Sequence, residues 1–449
     1  MVGTQGQEYA DTSRGAYRQL RSVWQDWSVA SPQALGAGNW TVFSAACWYF
    51  GRALQESLHV PVGLVSNNWG GTSIAPWMSP DAVKACPAAM DTSQLELAAE
   101  RLGMSSEDTP ASVRSTNRPM PTAPSVLWDT MVAPFTRQTF RGVVWYQGES
   151  NAIRGHNAEA ATYYSCAIKA LISDWRAKFN GALSTVSRLL SVLSASDTSY
   201  LPPLLFAFAP DCAGDGDLAF HQTLLAPINT VWGFAGVRLG QQAALALNDS
   251  GIASAMDSGD PFGPWQGTLH PRDKQTLGTR LALVARGLTY GEQDELTFEG
   301  PRMTRVEVER PSPERVHATV SFVPRSLGAP HAVEGVGLVL RAQPVPGTLA
   351  AGCLPNVTNA LCGYFDIIFT VGGSATEQSV QAEPSLSADA TQLVLAATVP
   401  EKASILRVEA MNNEWPVVRV YNRAGLPMYP FVHNVTASQT ARPELGPAP

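Results

Sequence analysis

The sequence predicts an α/β chain: a parallel sheet with helices on both faces, followed by a C-terminal antiparallel β-sandwich. Three observations predict it. Short apolar runs at Val60–Val65, Gly142–Tyr146 and Ile252–Met256 end at polar or glycine-bearing tips, the pattern of buried strands whose carboxyl ends open into a ligand crevice. Helical periodicity falls between them, and strand–helix–strand order implies parallel pairing. After Gly300 the texture changes to short alternating or apolar runs separated by Pro, Gly and Ser turns.

The elements follow in order. Residues 1–40 are polar, apart from an apolar-aromatic stretch near Tyr17–Trp27. Phe43, Cys47, Phe50, Leu54 and Leu58 recur at helical steps, with Thr41 or Ser44 as a cap and Pro61 as a stop. Val60–Val65 reads as a strand, and Asn67-Asn68-Trp69-Gly70-Gly71-Thr72 as the turn at its carboxyl end. Tandem glycines there expose backbone N–H groups and admit a ligand closely. A lone Gly-Gly pair is only a turn; its place after a buried strand gives it weight. Ala88–Thr122 reads as an inserted loop with some helix.

Arg141–Asn151, RGVVWYQGESN, is the organising stretch. Its strand runs straight into Gln147, Gly148, Glu149, Ser150 and Asn151. Gln147 and Asn151 carry amide donors that can face a developing oxyanion, and Glu149 can orient or charge them. Ala160–Phe179 reads as a helix, Ser184–Ser199 as a variable excursion, Leu204–Ala209 as the next strand and Gly236–Leu247 as another helix. Ile252–Met256 ends at Asp257, and a Gly/Pro-rich loop then leads to His270. Pro271 suits the first turn of a helix with Leu277, Leu281, Val284 and Leu288 on one stripe. Of the seven histidines, only His270 stands at such a loop-to-helix junction on the ligand edge. That place points to catalysis.

At 449 residues, two domains are expected. They are an α/β domain over 1–300, with inserted loops near 88–122 and 181–203, and a sandwich over 301–435. Residues 436–449 read as a disordered tail. The net charge of -7, without Lys or Arg runs, argues against nucleic acid and anionic membrane partners. No apolar run approaches a membrane span. Cys47, Cys86, Cys166, Cys212, Cys353 and Cys362 form no CxxC pair, so neither a metal nor a cofactor is expected. Cys353 and Cys362 are near enough to close a small loop; the pairing stays open. Sequons at Asn39, Asn248, Asn356 and Asn434 suggest a glycoprotein on a secretory route, whereas Met1–Gly15 lacks the signature of a signal peptide.

VSNNWGGTSIAPW, RGVVWYQGESN and LHPRDKQTLGTRLALVARGLTYGE together resemble the sialate O-acetylesterase family of the SGNH-hydrolase superfamily. AMDSGDPFG, LTFEGP and the segment Trp415–Pro430 continue the likeness. The resemblance implies an SGNH-type, flavodoxin-like sheet and hydrolysis of O-acetyl esters of sialic acids, or of related acetylated glycans, by a Ser/His pair. It implies His270 as the base, Gly70 or Gly71 as the backbone oxyanion donor and the Gln147–Asn151 block as the side-chain donor. The choice between Gln147 and Asn151 stays open, with Glu149 orienting the loop. It further implies a lysosomal or secreted full-length form; if Met1 is the true start, the chain is expected to be cytoplasmic.

Two departures stand out. The superfamily often places an Asp two or three residues before the histidine, where this chain has Thr268 and Gly267. Asp257 or Asp260 could fold back to orient His270, or a backbone carbonyl could do so. The family's Gly-Gln-Ser-Asn nucleophile block does not occur, so an N-terminally incomplete domain without its attacking serine is expected. Ser66, Ser73 and Ser150 lie near the tips, none in a nucleophile elbow. Two other readings compete. One is an inactive carbohydrate-binding protein with a rim of Trp69, Trp77, Trp145 and Trp265. The other is a glycosidase pairing Glu149 with Asp257 or Asp260.

Overall fold

The structure is a computed structural model, and it describes residues 2–4, 23, 25–36, 43–87, 121–152, 157–193, 218–228, 233–259, 270–342 and 362–436. Its parallel sheet comes in two pieces. Strands β3 (Gly142–Trp145), β4 (Ala219–Leu224) and β5 (Ser250–Ser254) pair in parallel in that order. Strands β1 (Val2–Thr4) and β2 (Val65–Asn67) form a separate parallel pair. The polar N-terminus gave no hint of β1, and β2 starts where the expected strand was to end.

Five helices flank these strands: α1 (Ala45–Leu58), α2 (Pro80–Ala85), α3 (Asn157–Leu193), α4 (Phe234–Gln241) and α5 (Lys274–Leu288). Ser44 caps α1, accepting the Cys47 N–H, while its own N–H binds the Ser66 hydroxyl on β2. Gly278 lets α1 and α5 approach. A Cβ there would stand 2.5 Å from that of Tyr49. Helix α3 continues to Leu193, into the Ser-rich stretch read as an excursion. A disulfide between Cys86 and Cys166 ties α2 to α3. The structure thus brings together two cysteines that spacing did not pair. Cys353 lies outside the described residues, as do Leu204–Ala209, Trp265 and the loop at 88–120.

The strand beside β3 is β4, which sequence reading missed for a physical reason. Its interior holds His221, Gln222 and Thr223, all 2 % exposed or less, where an apolar run is expected. Their polarity is partly met inside: His221 Nε2 lies 2.9 Å from the Thr289 hydroxyl, and Gln222 Nε2 donates to the Gln241 carbonyl at 2.5 Å.

Beyond Gly300, two four-stranded antiparallel sheets face each other. One is built from β6 (Met303–Ser312), β7 (Arg315–Phe322), β10 (Glu383–Leu386) and β11 (Leu393–Thr398). The other contains β8 (Phe365–Val371), β9 (Gln378–Gln381), β12 (Ala403–Ala410) and β13 (Phe431–Asn434). Val306, Val316, Leu393, Ile367, Val408 and Phe431 form one core between them. Leu224, Ile252 and Met256 of the parallel sheet join that same core.

Polar clamps reinforce this seam. Arg238 on α4 is fully buried and donates to the carbonyls of Leu225, Ala226, Asn413 and Glu414 at 2.9, 2.7, 2.8 and 3.1 Å. The Glu414 carboxylate accepts the Gly233 and Phe234 N–H groups, filling the N-terminus of α4 with negative charge. Burial lowers the Arg238 pKa to about 10, partly offset by Glu414, so the side chain stays charged at neutral pH. Among the described residues no helix is long and apolar enough to cross a membrane. Arg238→Met is expected to lower the unfolding free energy in urea by about 3–5 kcal/mol, because buried acceptors on both sides of the seam lose their donor.

Candidate active site

The tip after β3 is held from within. Gly148 adopts φ 140°, and a Cβ there would lie 2.9 Å from Val237, so only glycine fits this turn. Gln147 is 9 % exposed, and its amide is fully engaged. Its Nε2 donates to the Thr72 carbonyl at 3.0 Å and to Asn151 Oδ1 at 2.7 Å. Its Oε1 accepts the Tyr164 hydroxyl at 2.9 Å. The Gln147 carbonyl accepts Gln241 Nε2 at 3.1 Å, which ties the tip to α4.

The Gly70–Gly71 turn is joined to the same tip. Asn151 Oδ1 accepts the Ile74 N–H at 3.0 Å, and Thr72 is fixed by the Trp69 carbonyl and the Trp77 indole N–H. Gly70 is exposed with open space around it, and Gly71 takes φ 76°. This arrangement separates the roles of the two amides. Gln147 has both donor directions engaged. Asn151, 2 % exposed, keeps its Nδ2 without a hydrogen bond among the described residues. The Tyr163 hydroxyl, also buried and without a hydrogen bond of ordinary geometry among the described residues, lies near that amide: burial pushes the phenol up to about 12, and the Asn151 side chain opposes the shift.

His270 is exposed, just ahead of α5. The helix starts at Lys274 rather than Pro271, capped by Asp273, whose carboxylate accepts the Thr276 N–H at 2.9 Å. The Lys274 Nζ donates to the Pro271 carbonyl at 2.6 Å and lies 5.4 Å from the centre of the Tyr146 ring. Lys274 therefore links the histidine segment to the strand that carries the amide tip. Desolvation by neighbouring atoms and then the Lys274 charge lower the His270 pKa, which keeps the imidazole neutral around pH 7. Burial raises the Glu149 pKa, opposed by its own backbone N–H and by Lys274.

Asp257, a candidate partner for the imidazole, is occupied elsewhere. Arg280 forks it, with N–O distances of 2.6 and 2.8 Å, and also donates to the Ser254 carbonyl at 2.7 Å. Asp260 lies outside the described residues. Trp77 and Trp145 are 5 % and 7 % exposed and stack edge to face, so they belong to the core rather than a sugar-binding rim. Trp69 is half-buried. The Ser66 hydroxyl is buried and donates to Asn68 Oδ1.

Sequence reasoning missed Tyr164, Gln241 and Lys274. The first two leave no signal, since a polar residue in a helix looks alike whether it faces water or a buried carbonyl. Lys274 did leave one: a cation in the first turn opposes the helix dipole. Gln147→Ala is expected to cost about 2–4 kcal/mol of unfolding free energy, read by chemical denaturation. It takes a donor from the buried Thr72 carbonyl and from Asn151 Oδ1, and leaves the Tyr164 hydroxyl, as a donor, only the longer bond to the Gln147 backbone carbonyl at 3.2 Å.

No family model matches the chain. Mouse sialate O-acetylesterase is 36% identical over 300 residues, 64% of this chain and 50% of that protein. The human sialate O-acetylesterase is 34% identical over 295 residues, 64% of this chain and 47% of its own length. In solved structures, a carbohydrate acetylesterase from Xanthomonas citri superposes with a TM-score of 0.61 at 21% identity, covering 97% of this chain and 73% of that one. That likeness establishes the α/β-plus-sandwich fold. The chain spans about half the length of the curated relatives it matches, and over that span it is related in sequence to the sialate O-acetylesterases.

Proposed function

We propose that this chain carries the base and oxyanion side of a carbohydrate O-acetylesterase site acting on O-acetylated sialic acids or related acetylated glycans. The observation that carries the reading is Asn151, a buried amide at a strand tip with its oxygen held by two N–H groups and its Nδ2 without a hydrogen bond of ordinary geometry among the described residues. A donor fixed before the reaction costs no reorganisation when negative charge develops. His270 supplies the base, and its lowered pKa leaves a ring nitrogen free of a proton at neutral pH.

The chemistry then runs as acyl transfer. A hydroxyl attacks the acetyl carbonyl carbon and gives its proton to His270. The carbonyl electron pair moves onto oxygen, which takes N–H bonds from Asn151 and from the backbone at Gly70 or Gly71. Collapse breaks the bond to the sugar oxygen, which leaves with the proton from the imidazolium. Water repeats the sequence to release acetate. The attacking hydroxyl is the missing part: Gly-Gln-Ser-Asn does not occur in the sequence, and Ser66 is turned to Asn68.

A second reading follows from the same gap. A site with donors and a base but no nucleophile binds acetylated sugar without turning it over. Both readings predict that this chain releases product from a chromogenic acetyl ester no faster than its own His270→Ala variant. Turnover abolished by that substitution would show that an attacking group is present. Calorimetric titration with an O-acetylated sialoside is expected to show saturable binding that weakens about tenfold or more in Asn151→Ala, in line with the loss of one buried hydrogen bond. Equal affinity in both proteins would remove Asn151 from the site.

A further inference from the structure

Lys274 sits where a lysine is unfavourable. It is the first residue of α5, where the unpaired N–H groups and the helix dipole repel a cation. It is half-buried, which adds a desolvation cost. The Asp273 cap answers part of this. The remaining contacts all belong to the candidate site. The Pro271 carbonyl, one residue from His270, accepts from Nζ at 2.6 Å, and the Tyr146 ring faces it at 5.4 Å. Glu149 is its largest favourable charge partner. Tyr146 and Glu149 flank Gln147 and Gly148, so one ammonium binds the imidazole segment and faces the ring that leads into the amide tip.

We propose that Lys274 is a positioning residue: its ammonium pins the His270 segment to the Tyr146–Asn151 tip and so sets the imidazole beside the amide donors. The Gln147 network joins the tip to the Gly70–Gly71 turn and to α4, and Arg280 joins α5 to Asp257, but neither reaches His270. A cation on the face of an aromatic ring is attracted by the ring's negative face, more strongly as it is desolvated. Its hydrogen bond to a carbonyl adds direction that charge alone lacks. The functional weight of this pin rests on the esterase reading; its existence does not.

The test reads the imidazole and the lysine directly, so it stands whether or not the chain hydrolyses esters. In the wild-type chain, the ε-methylene protons of Lys274 are expected upfield of ordinary lysines through the ring current of Tyr146. This needs no variant. An ordinary shift overturns the proposal. In Lys274→Met, the His270 ring, followed by proton–nitrogen correlation across a pH series, is expected to titrate about half a pH unit or more higher, because a nearby positive charge is gone. Lys274→Arg is expected to bring the midpoint back, and Lys274→Gln to behave like Met while keeping a donor for Pro271. Among the described residues Lys274 lowers the His270 pKa by its charge, Glu149 and Asp273 act in turn on Lys274, and Arg272 follows two residues after the histidine. A folded Lys274→Met or Lys274→Gln chain whose His270 midpoint equals that of the wild type overturns the proposal. Absence of esterase turnover would count against the functional reading alone.

Discussion

A buried polar group must find its partners inside the protein, and Gln147 is where this chain meets that demand most densely. One amide spends both donor directions and its acceptor on three different segments: the Gly70–Gly71 turn, the Asn151 turn and helix α3. Rotating it would leave several buried atoms unpaired at once, each at a cost of about 1–3 kcal/mol. The tip is therefore fixed by hydrogen-bond arithmetic rather than by close packing alone. Gly148 serves the same end, since its backbone turn lets the chain reverse within reach of both Gln147 and Asn151. The two amides therefore differ: Gln147 is engaged at every polar side-chain atom, whereas Asn151 Nδ2 has no hydrogen bond of ordinary geometry among the described residues.

Much of this was legible in the sequence, and what was not has identifiable causes. The helix at Ala45–Leu58 and its Ser44 cap follow from apolar spacing and a hydroxyl at the right place. The strands β3 and β5 announce themselves by apolar residues ending at Gln147 and Asp257. Strand β4 does not, because His221, Gln222 and Thr223 occupy its buried interior and find partners only in the folded chain. Edge strands β9 and β10 read QSVQ and EPSL, short segments with no buried residue and a single large apolar side chain each to announce them. In the site, side-chain types drew attention to the Gly70–Gly71 turn and the Gln147–Asn151 tip, which hydrogen bonds join. Roles within them depended on who bonds to whom, which no spacing reveals. Asp257 illustrates this: its position suggested a partner for His270, yet Arg280, a full helical turn and more into α5, forks it instead.

The electrostatic arrangement at the rim also follows from placement. A carboxylate at 149, an ammonium at 274 and an imidazole at 270 lie in partly dehydrated surroundings, where charges act more strongly than in water. Burial pushes Glu149 toward its neutral form and His270 toward its neutral form as well, while each is opposed or reinforced by the same lysine. The local charge state is therefore a property of the group of three rather than of any one side chain.

The seam between the parallel sheet and the sandwich carries its own implication. Leu224, Ile252 and Met256 pack into the apolar interior of the sandwich, and the Tyr429 hydroxyl donates to the Ile252 carbonyl at 2.6 Å. Neither half can melt without baring the inner face of the other. Heat absorption on warming should then arrive as a single cooperative event, and a protease that nicks the connection should not release either half as an independently folded fragment.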